Sequence, residues 1–172
     1  MTEVKAVAQG DAAVERPEGF RRVAGLLAAQ GHRHRPRWLD LPARTCVEAA
    51  QALGVDTGQI AKSVIFRRRA DGLAVLVVAS GDRRVDERKV AAQVGAIGRA
   101  DAAFVKQQTG FSIGGVSPLG HAHPPVVLVD RELFRFAEIW AAAGHPNGVF
   151  CLSPDELLAM TGAAAADVVE SA

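Results

Sequence analysis

Between Ile60 and Ala79 the hydrophobic pattern takes on the character of a β-hairpin, which constrains the fold more than any other stretch. Lys62-Ser63-Val64-Ile65-Phe66 and Leu73-Ala74-Val75-Leu76-Val77-Val78-Ala79 are short runs rich in β-branched residues, with Asp71-Gly72 between them. Asp-Gly favours the positive φ angles of a tight connection, so the two runs are expected to pair antiparallel. A third run, Pro125-Val126-Val127-Leu128-Val129, is almost wholly apolar. A strand with no polar side needs cover on both faces, which places it inside a sheet with helices above and below. Gly148 to Leu152 reads as a last short strand.

Capping signals mark the helices. Pro17 suits the start of one whose apolar face is Phe20, Val23, Ala24 and Leu27, stopped by Gly31. His32 to Pro42 reads as extended, with Trp38 and Leu41 as its buried points. Thr45-x-x-Glu48 is a capping box for a helix that Gly54 ends, and Asp86 caps another through Val94 to Gly95. Residues 101–109 form a short helix with Ala102, Ala103 and Val105 for packing. Asp130 is placed to cap a helix from Glu132 to Ala143, striped by Leu133, Phe136, Ile139 and Trp140. Ser153-Pro154-Asp155-Glu156 is a second capping box with proline at the first helical position, and Gly162 closes that helix. Hairpins and helical connections together predict a single α/β domain, with a mixed, partly antiparallel central sheet surrounded by helices. Residues 1–15 are expected to be a flexible N-terminus, 16–162 the domain, and 163–172 a weakly specified C-terminal tail.

The chain is 172 residues long, enough for one domain with a substantial core. Its net charge of +1 demands neither nucleic acid nor a membrane. No apolar run reaches the length of a bilayer span, and the first ten residues lack the apolar core of a signal peptide. Two cysteines make no disulfide framework, so a reducing cytoplasmic setting is expected. The charge is nevertheless uneven. Six arginines (21, 22, 33, 35, 37 and 44) face one acid, Asp40, between Arg21 and Arg44, and Arg67–Arg69 and Arg83–Arg84 form further clusters. Such clusters read either as a solvated face or as a surface for phosphates, whose geometry arginine forks match.

The stretch Gly110-Phe111-Ser112-Ile113-Gly114-Gly115-Val116-Ser117-Pro118-Leu119-Gly120-His121 carries the densest chemical signal. It reads either as a connector or as a loop of amides able to hold an anion or the oxygen of a polarised carbonyl. Three familiar motifs fail there. Gly110-x-x-x-x-Gly115 has P-loop spacing, but Val116 stands where lysine must meet the phosphates. A nucleophile elbow at Ser117 would need glycine where Leu119 stands, and Pro118 lacks the N–H required next to the serine. No G-x-G-x-x-G occurs, so a dinucleotide site is not indicated. The pairs His32/His34 and His121/His123, with Cys46 and Cys151, lack recognised zinc spacing, and no metal or other cofactor is expected. What remains is positioning and oxyanion stabilisation for a substrate already activated, with Lys62, at the start of an apolar strand, as the cationic partner. The plainer reading of Lys62 is an exposed edge charge.

Three segments together resemble the YbaK/EbsC family: Glu48-Ala49-Ala50-x-x-Leu53-Gly54-Val55, Gln59-Ile60-Ala61-Lys62-Ser63-Val64-Ile65-Phe66 and Gly114-Gly115-Val116-Ser117-Pro118-Leu119-Gly120. This family comprises aminoacyl-tRNA deacylases related to the editing domain of bacterial prolyl-tRNA synthetases. The likeness runs from about Thr45 to Gly162. It implies hydrolysis, in trans, of the ester joining a wrong small amino acid to tRNA. Lys62 matches the family's essential lysine. Gly114, Gly115 and Pro118 match its loop, and Asp130 matches an acidic position after a late strand. The resemblance and the reading of the loop together make Lys62, Gly114 and Gly115 catalytic candidates and Val116, Ser117, Pro118, Gly120, Ser80 and Asp130 substrate-binding ones. Among these, Val116 and Ser80 are pocket or loop neighbours onto which the family carries no role, and Ser117 is a hydrogen-bonder of the loop. Partners would be the aminoacylated 3′ end of tRNA and a synthetase, with no membrane and no metal. The chain has no tyrosine, so an aromatic hydroxyl used by some relatives is missing. A reading of another class stays open beside it: a tRNA- or synthetase-binding module without hydrolysis.

Overall fold

The computed structural model describes residues 15–171, so the expected flexible segment falls, but for Glu15, outside the described residues. Among the described residues, five α-helices and eight strands follow one another. The first half holds α1 (Glu18–Ala29), β1 (Arg37–Trp38), α2 (Cys46–Leu53), β2 (Ile60–Arg68), β3 (Ala74–Ser80), α3 (Glu87–Val94), β4 (Ile97–Arg99) and α4 (Ala102–Thr109). The second holds β5 (Val126–Asp130), β6 (Ile139–Ala142), β7 (Gly148–Leu152), α5 (Pro154–Thr161) and β8 (Ala165–Ala166).

All strands join one sheet in the order β1-β7-β6-β2-β3-β5-β8, with β4 paired to the outer end of β2. The β2–β3 hairpin runs antiparallel in the register Lys62↔Ala79 to Arg67↔Ala74, as its Asp-Gly turn implies. β2/β6, β3/β5 and β5/β8 are parallel, whereas β1/β7, β6/β7 and β2/β4 are antiparallel. The sheet is therefore mixed, as expected.

Alternation along the fully buried β3 separates the two faces. Leu76 and Val78 pack with Phe20, Val23 and Leu27 of α1, Val105 of α4 and Leu157 of α5. Val75, Val77 and Ala79 turn the other way, onto Val90 of α3. Farther along that second face, Ala49 and Ala50 of α2 cover Ile60, with Trp140 at their side. Both faces of the central strand are thus sealed, which is why it carries no polar residue before Ser80.

Five details differ from the sequence reading. Glu132–Ala143 is no helix: Arg131–Arg135 make a short 3-10 turn capped by Asp130, and Ile139–Ala142 form β6. The apolar spacing from Leu133 to Trp140 fits a helix, but Ile139 and Ala141 alternate with Trp140 and Ala142, and pairing with β2 and β7 decides the outcome. The C-terminal residues are not loose. Ala165 and Ala166 extend the sheet beside Val129 and Asp130, and Val168 and Val169 are buried. Leu41, expected inside, is 78% exposed, and Leu39 takes its place in the core. Ala102 and Ala103 are exposed, so α4 packs through Val105 and Thr109. The three-residue β4 was too short to register as a pattern.

Candidate active site

Beside α2, where β2 and β6 part after Ala61, residues of both faces line a cleft of ≈ 230 Å³. Ile60, Ala61 and Trp140 contribute its apolar surface, with Val116 from the glycine-rich loop. Lys62, Arg44, Cys46, Ser63 and His145 bring the chemistry. Such a cleft lies below the roughly 300–1,000 Å³ usual for drug-sized ligands, so it suits a small group.

Register explains why Lys62 is there. It pairs with Ala79 and so shares the face that carries Ile60 and Trp140. Half-buried, its ammonium donates to the carbonyl of Arg83, just past the end of β3. One hydrogen bond to a backbone carbonyl orients the side chain without neutralising it.

The opposite wall is a laced pair of segments. Leu39 N–H donates to Asn147 O (2.7 Å), Asn147 Nδ2 to Leu39 O (2.9 Å), and Ala43 N–H to Pro146 O (3.0 Å). The His145 ring stacks on Trp38, with centroids 4.8 Å apart. Its Nδ1 accepts the Asn147 N–H at 3.1 Å, which puts the ring proton on Nε2, and burial lowers its pKa from the ordinary value. His145 is thus a neutral donor at the cleft.

Gly114 and Gly115 dock the loop on this wall. A Cβ on Gly115 would lie 2.7 Å from His145 Cα, so only glycine permits the approach, and Gly114 has φ +92°. Having no side chain, Gly114 lines the cleft with backbone alone. The Gly115 amide is already used, donating to Ser112 O at 3.0 Å.

The loop then leaves the cleft. Ser117 is fully buried, its Oγ accepting from Leu119 N–H (3.2 Å) and its carbonyl meeting His121 Nε2 (2.6 Å). His121, expected in an exposed turn, is half-buried with its ring edge-on to Phe111; His123 is exposed. Pro118 and Gly120 line a separate groove beside Leu26 of α1. Ser80 and Asp130 sit together, away from the cleft. Ser80 N–H donates to Asp130 Oδ2 (3.1 Å), and Glu132 N–H to Asp130 Oδ1 (2.9 Å). Ser80 Oγ donates to Gly58 O (2.5 Å) and receives Arg135 Nη2 at 2.8 Å. Arg135 also grips Asp82 (2.8 Å) and holds that carboxyl below its ordinary range, whereas burial pushes Asp130 up.

Of the nine residues singled out from sequence, the structure brings Lys62, Gly114 and Val116 into one cleft. It adds Arg44, Ser63, Trp140 and His145, for which no spacing motif existed. Ser63 Oγ is buried without a hydrogen-bond partner, the kind of orphan that a ligand can satisfy.

Residues 40–160 match the aminoacyl-tRNA editing domain family. The chain belongs to that family. It is 40% identical over 114 residues to the uncharacterized protein YwhH of Bacillus subtilis (strain 168), covering 66% of this chain and 72% of that protein. It is 30% identical over 94 residues to the proline–tRNA ligase of Thermoanaerobacter sp. (strain X514), a match spanning 52% of this chain but 16% of the much longer ligase. A crystal structure described as that of a candidate trans-editing enzyme for prolyl tRNA synthetase superposes with TM-score 0.85 at 40% identity, covering 91% of this chain and 100% of the other. The mixed α/β fold is thus the fold of this editing domain, and the cleft lies within the matched segment. Among the described residues no helix is long and apolar enough to cross a membrane.

Proposed function

We propose that this editing domain is a hydrolase that acts in trans on mischarged aminoacyl-tRNA, cleaving the ester of a small amino acid. The observation that carries the reading is the meeting of Lys62 with the bare backbone of Gly114 in a small, largely apolar cleft. Ile60, Ala61, Val116 and Trp140 enclose an aliphatic side chain, while Lys62 and Arg44 at the same cleft favour the negatively charged 3′ end of tRNA.

An ester needs no protein nucleophile. Water, oriented by the vicinal ribose hydroxyl, adds to the carbonyl carbon; the bond to the ribose oxygen then breaks, and that oxygen takes the proton, leaving free amino acid and tRNA. Loop amides meet the developing oxyanion. With the Gly115 N–H held by Ser112, Gly114 and Val116 are the donors we assign, and Gly115 is the residue that seats them. Cys46 is not the nucleophile in this scheme, because burial raises its thiol pKa and keeps it protonated. Ser117, Pro118 and Gly120 shape the loop from behind. Ser80 and Asp130 tie the ends of β3 and β5 together, and the Arg83 carbonyl separately orients Lys62. Such editing answers a physical limit, since a pocket gains only ~1–3 kcal/mol per methylene when rejecting a near-cognate amino acid. The setting would be the cytoplasm, with tRNA as partner and a synthetase for recruitment.

The test is deacylation of a panel of mischarged tRNAs by the wild type and Lys62→Ala. Clearance of a small-amino-acid ester by the wild type and its loss in the variant are expected. If the wild type clears none, or the variant equals it, the catalytic reading fails. Salt-sensitive tRNA binding without turnover would replace it with the binding module.

A further inference from the structure

Away from the cleft, three metal-ligating side chains of different kinds converge where β7 and β6 meet the segment leading into β1. His34, Glu138 and Cys151 each offer one ligand atom, and these atoms all lie within 4.8 Å of one another. They come from distant parts of the sequence, which is why no zinc spacing was legible. We propose that His34, Glu138 and Cys151 form a site for a zinc-type divalent ion, with a fourth position open to water.

Each ligand is held in place by contacts that need no metal. Cys151 is fixed by its β7 register opposite Trp140 and is 4% exposed. Glu138 directly precedes β6, and its carbonyl accepts from Gln59 Nε2 at 3.0 Å. His34 is carried by a segment pinned to β7, because His32 Nε2 meets the carbonyl of Cys151 itself at 2.8 Å. The His32 and His34 rings then stand edge-on, 5.9 Å apart. Arg33, the neighbouring cation, is turned to Glu156 through bonds of 3.3 and 3.0 Å.

An independent observation points to a ligand here. His34 Nε2 is buried without a hydrogen-bond partner. Buried imidazole nitrogens are nearly always satisfied, and an ion bound beside Glu138 and Cys151 would satisfy this one. The donor set selects the ion: imidazole, thiolate and carboxylate together suit zinc far better than magnesium or calcium, which prefer oxygen alone. Zinc bonds of about 2.0–2.3 Å set tetrahedral ligand atoms about 3.5 Å apart, so side-chain shifts of about 1 Å complete the site. Binding converts the Cys151 thiol to thiolate and releases its proton to solvent.

The placement gives the ion a bracing role. Cys151 is the register partner of Trp140, and Trp140 forms a wall of the cleft. An ion there would tie the β6–β7 pair to the approach to β1 and stiffen that wall without touching substrate. This inference is independent of the hydrolase reading.

The experiment uses the full chain, freed of any affinity tag and stripped with a chelator. Zinc(II) is titrated by calorimetry, and cobalt(II) is used as a spectroscopic probe. One equivalent of zinc and a thiolate-to-cobalt charge-transfer band are expected. Cys151→Ser should abolish the band, and His34→Gln and Glu138→Gln should each weaken zinc by more than the 10–100-fold typical of outer-shell changes. Cys46→Ser should keep both. Glu138 is exposed, so Glu138→Gln guards against a folding artefact, checked by circular dichroism. Absence of stoichiometric binding, a band that survives Cys151→Ser, or affinity unchanged in both His34→Gln and Glu138→Gln overturns the site.

Discussion

Lys62 and Ser80 lie within one residue of register of each other, yet on opposite faces of the sheet. Lys62 pairs with Ala79 and shares its face, whereas Ser80 pairs with Ala61 and faces the other way. The one-residue offset gives them opposite surroundings. Ser80 is fully buried, with Gly58, Asp130, Asp82 and Arg135 consuming its donors and acceptors. Lys62 is half-buried beside an open cleft, with the Arg83 carbonyl as its orienting contact. A saturated polar cluster holds a fold together; a charge with spare donors at a cavity is available to a ligand. The two polar residues that frame this hairpin therefore differ in kind, and substitutions separate them.

The largest effect is expected at Lys62. Lys62→Ala should lower deacylation about 10²–10³-fold, the scale for losing one electrostatic contact to a transition state, while the urea midpoint stays near that of the wild type. A large stability loss with residual activity per folded molecule would erase the contrast with Ser80. Asp130→Ala should do the reverse. It strands the amides of Ser80 and Glu132, at about 1–3 kcal/mol each, and should lower stability while sparing kcat of the folded fraction. If kcat falls at unchanged stability, Asp130 belongs to the chemistry after all.

Gly115→Ala comes next. The new Cβ would press on the His145 backbone, and overpacking of this kind costs about 1–3 kcal/mol. Because the loop must back away from the wall, activity should fall more than stability, read as kcat/KM against the urea midpoint. Ser63→Ala is expected to be small and to cut both ways. Removing an unpartnered buried hydroxyl should raise stability by up to about 1 kcal/mol, and any loss of kcat/KM would show that substrate uses that hydroxyl.

Acid titration probes the saturated cluster directly. Arg135 depresses the Asp82 carboxyl, so its contribution to stability is present above the unfolded carboxylate value and is lost as pH falls through the lower folded one. Asp130, raised by burial, works in the opposite direction: it favours folding at low pH and that advantage fades as pH rises through its folded value. Asp82→Asn should therefore flatten the acid limb of the stability curve below the ordinary carboxylate range, measured as urea midpoint against pH.

Much of the fold was legible because its signals are local. The Asp71-Gly72 turn, the apolar run ending at Val129 and the caps at Thr45, Asp86 and Ser153 each act over a few residues, and each appears in the structure. Thr45 caps only in part as expected, for the Glu48 carboxylate reaches Arg44 N–H rather than closing the box. The failure at Glu132–Ala143 has the opposite cause. Ile139–Ala142 can satisfy a helical stripe or a strand alternation, and contacts with β2 and β7 make the choice. Ala165 and Ala166 pair through backbone alone, which leaves no trace in side-chain pattern.

The candidate site divides in the same way. By itself the sequence determined that Lys62 lies on a strand, that the glycine-rich loop could present backbone, and that the familiar phosphate and serine motifs fail there. Only the tertiary structure decided that Gly114 and Val116 face Lys62 while Pro118 and Gly120 turn away, and that His145 and Trp140 close the cleft. The same holds for the meeting of His34, Glu138 and Cys151. A cap or a turn is settled by neighbours in the chain, whereas a cleft is made by strands whose register follows from the whole hydrophobic core.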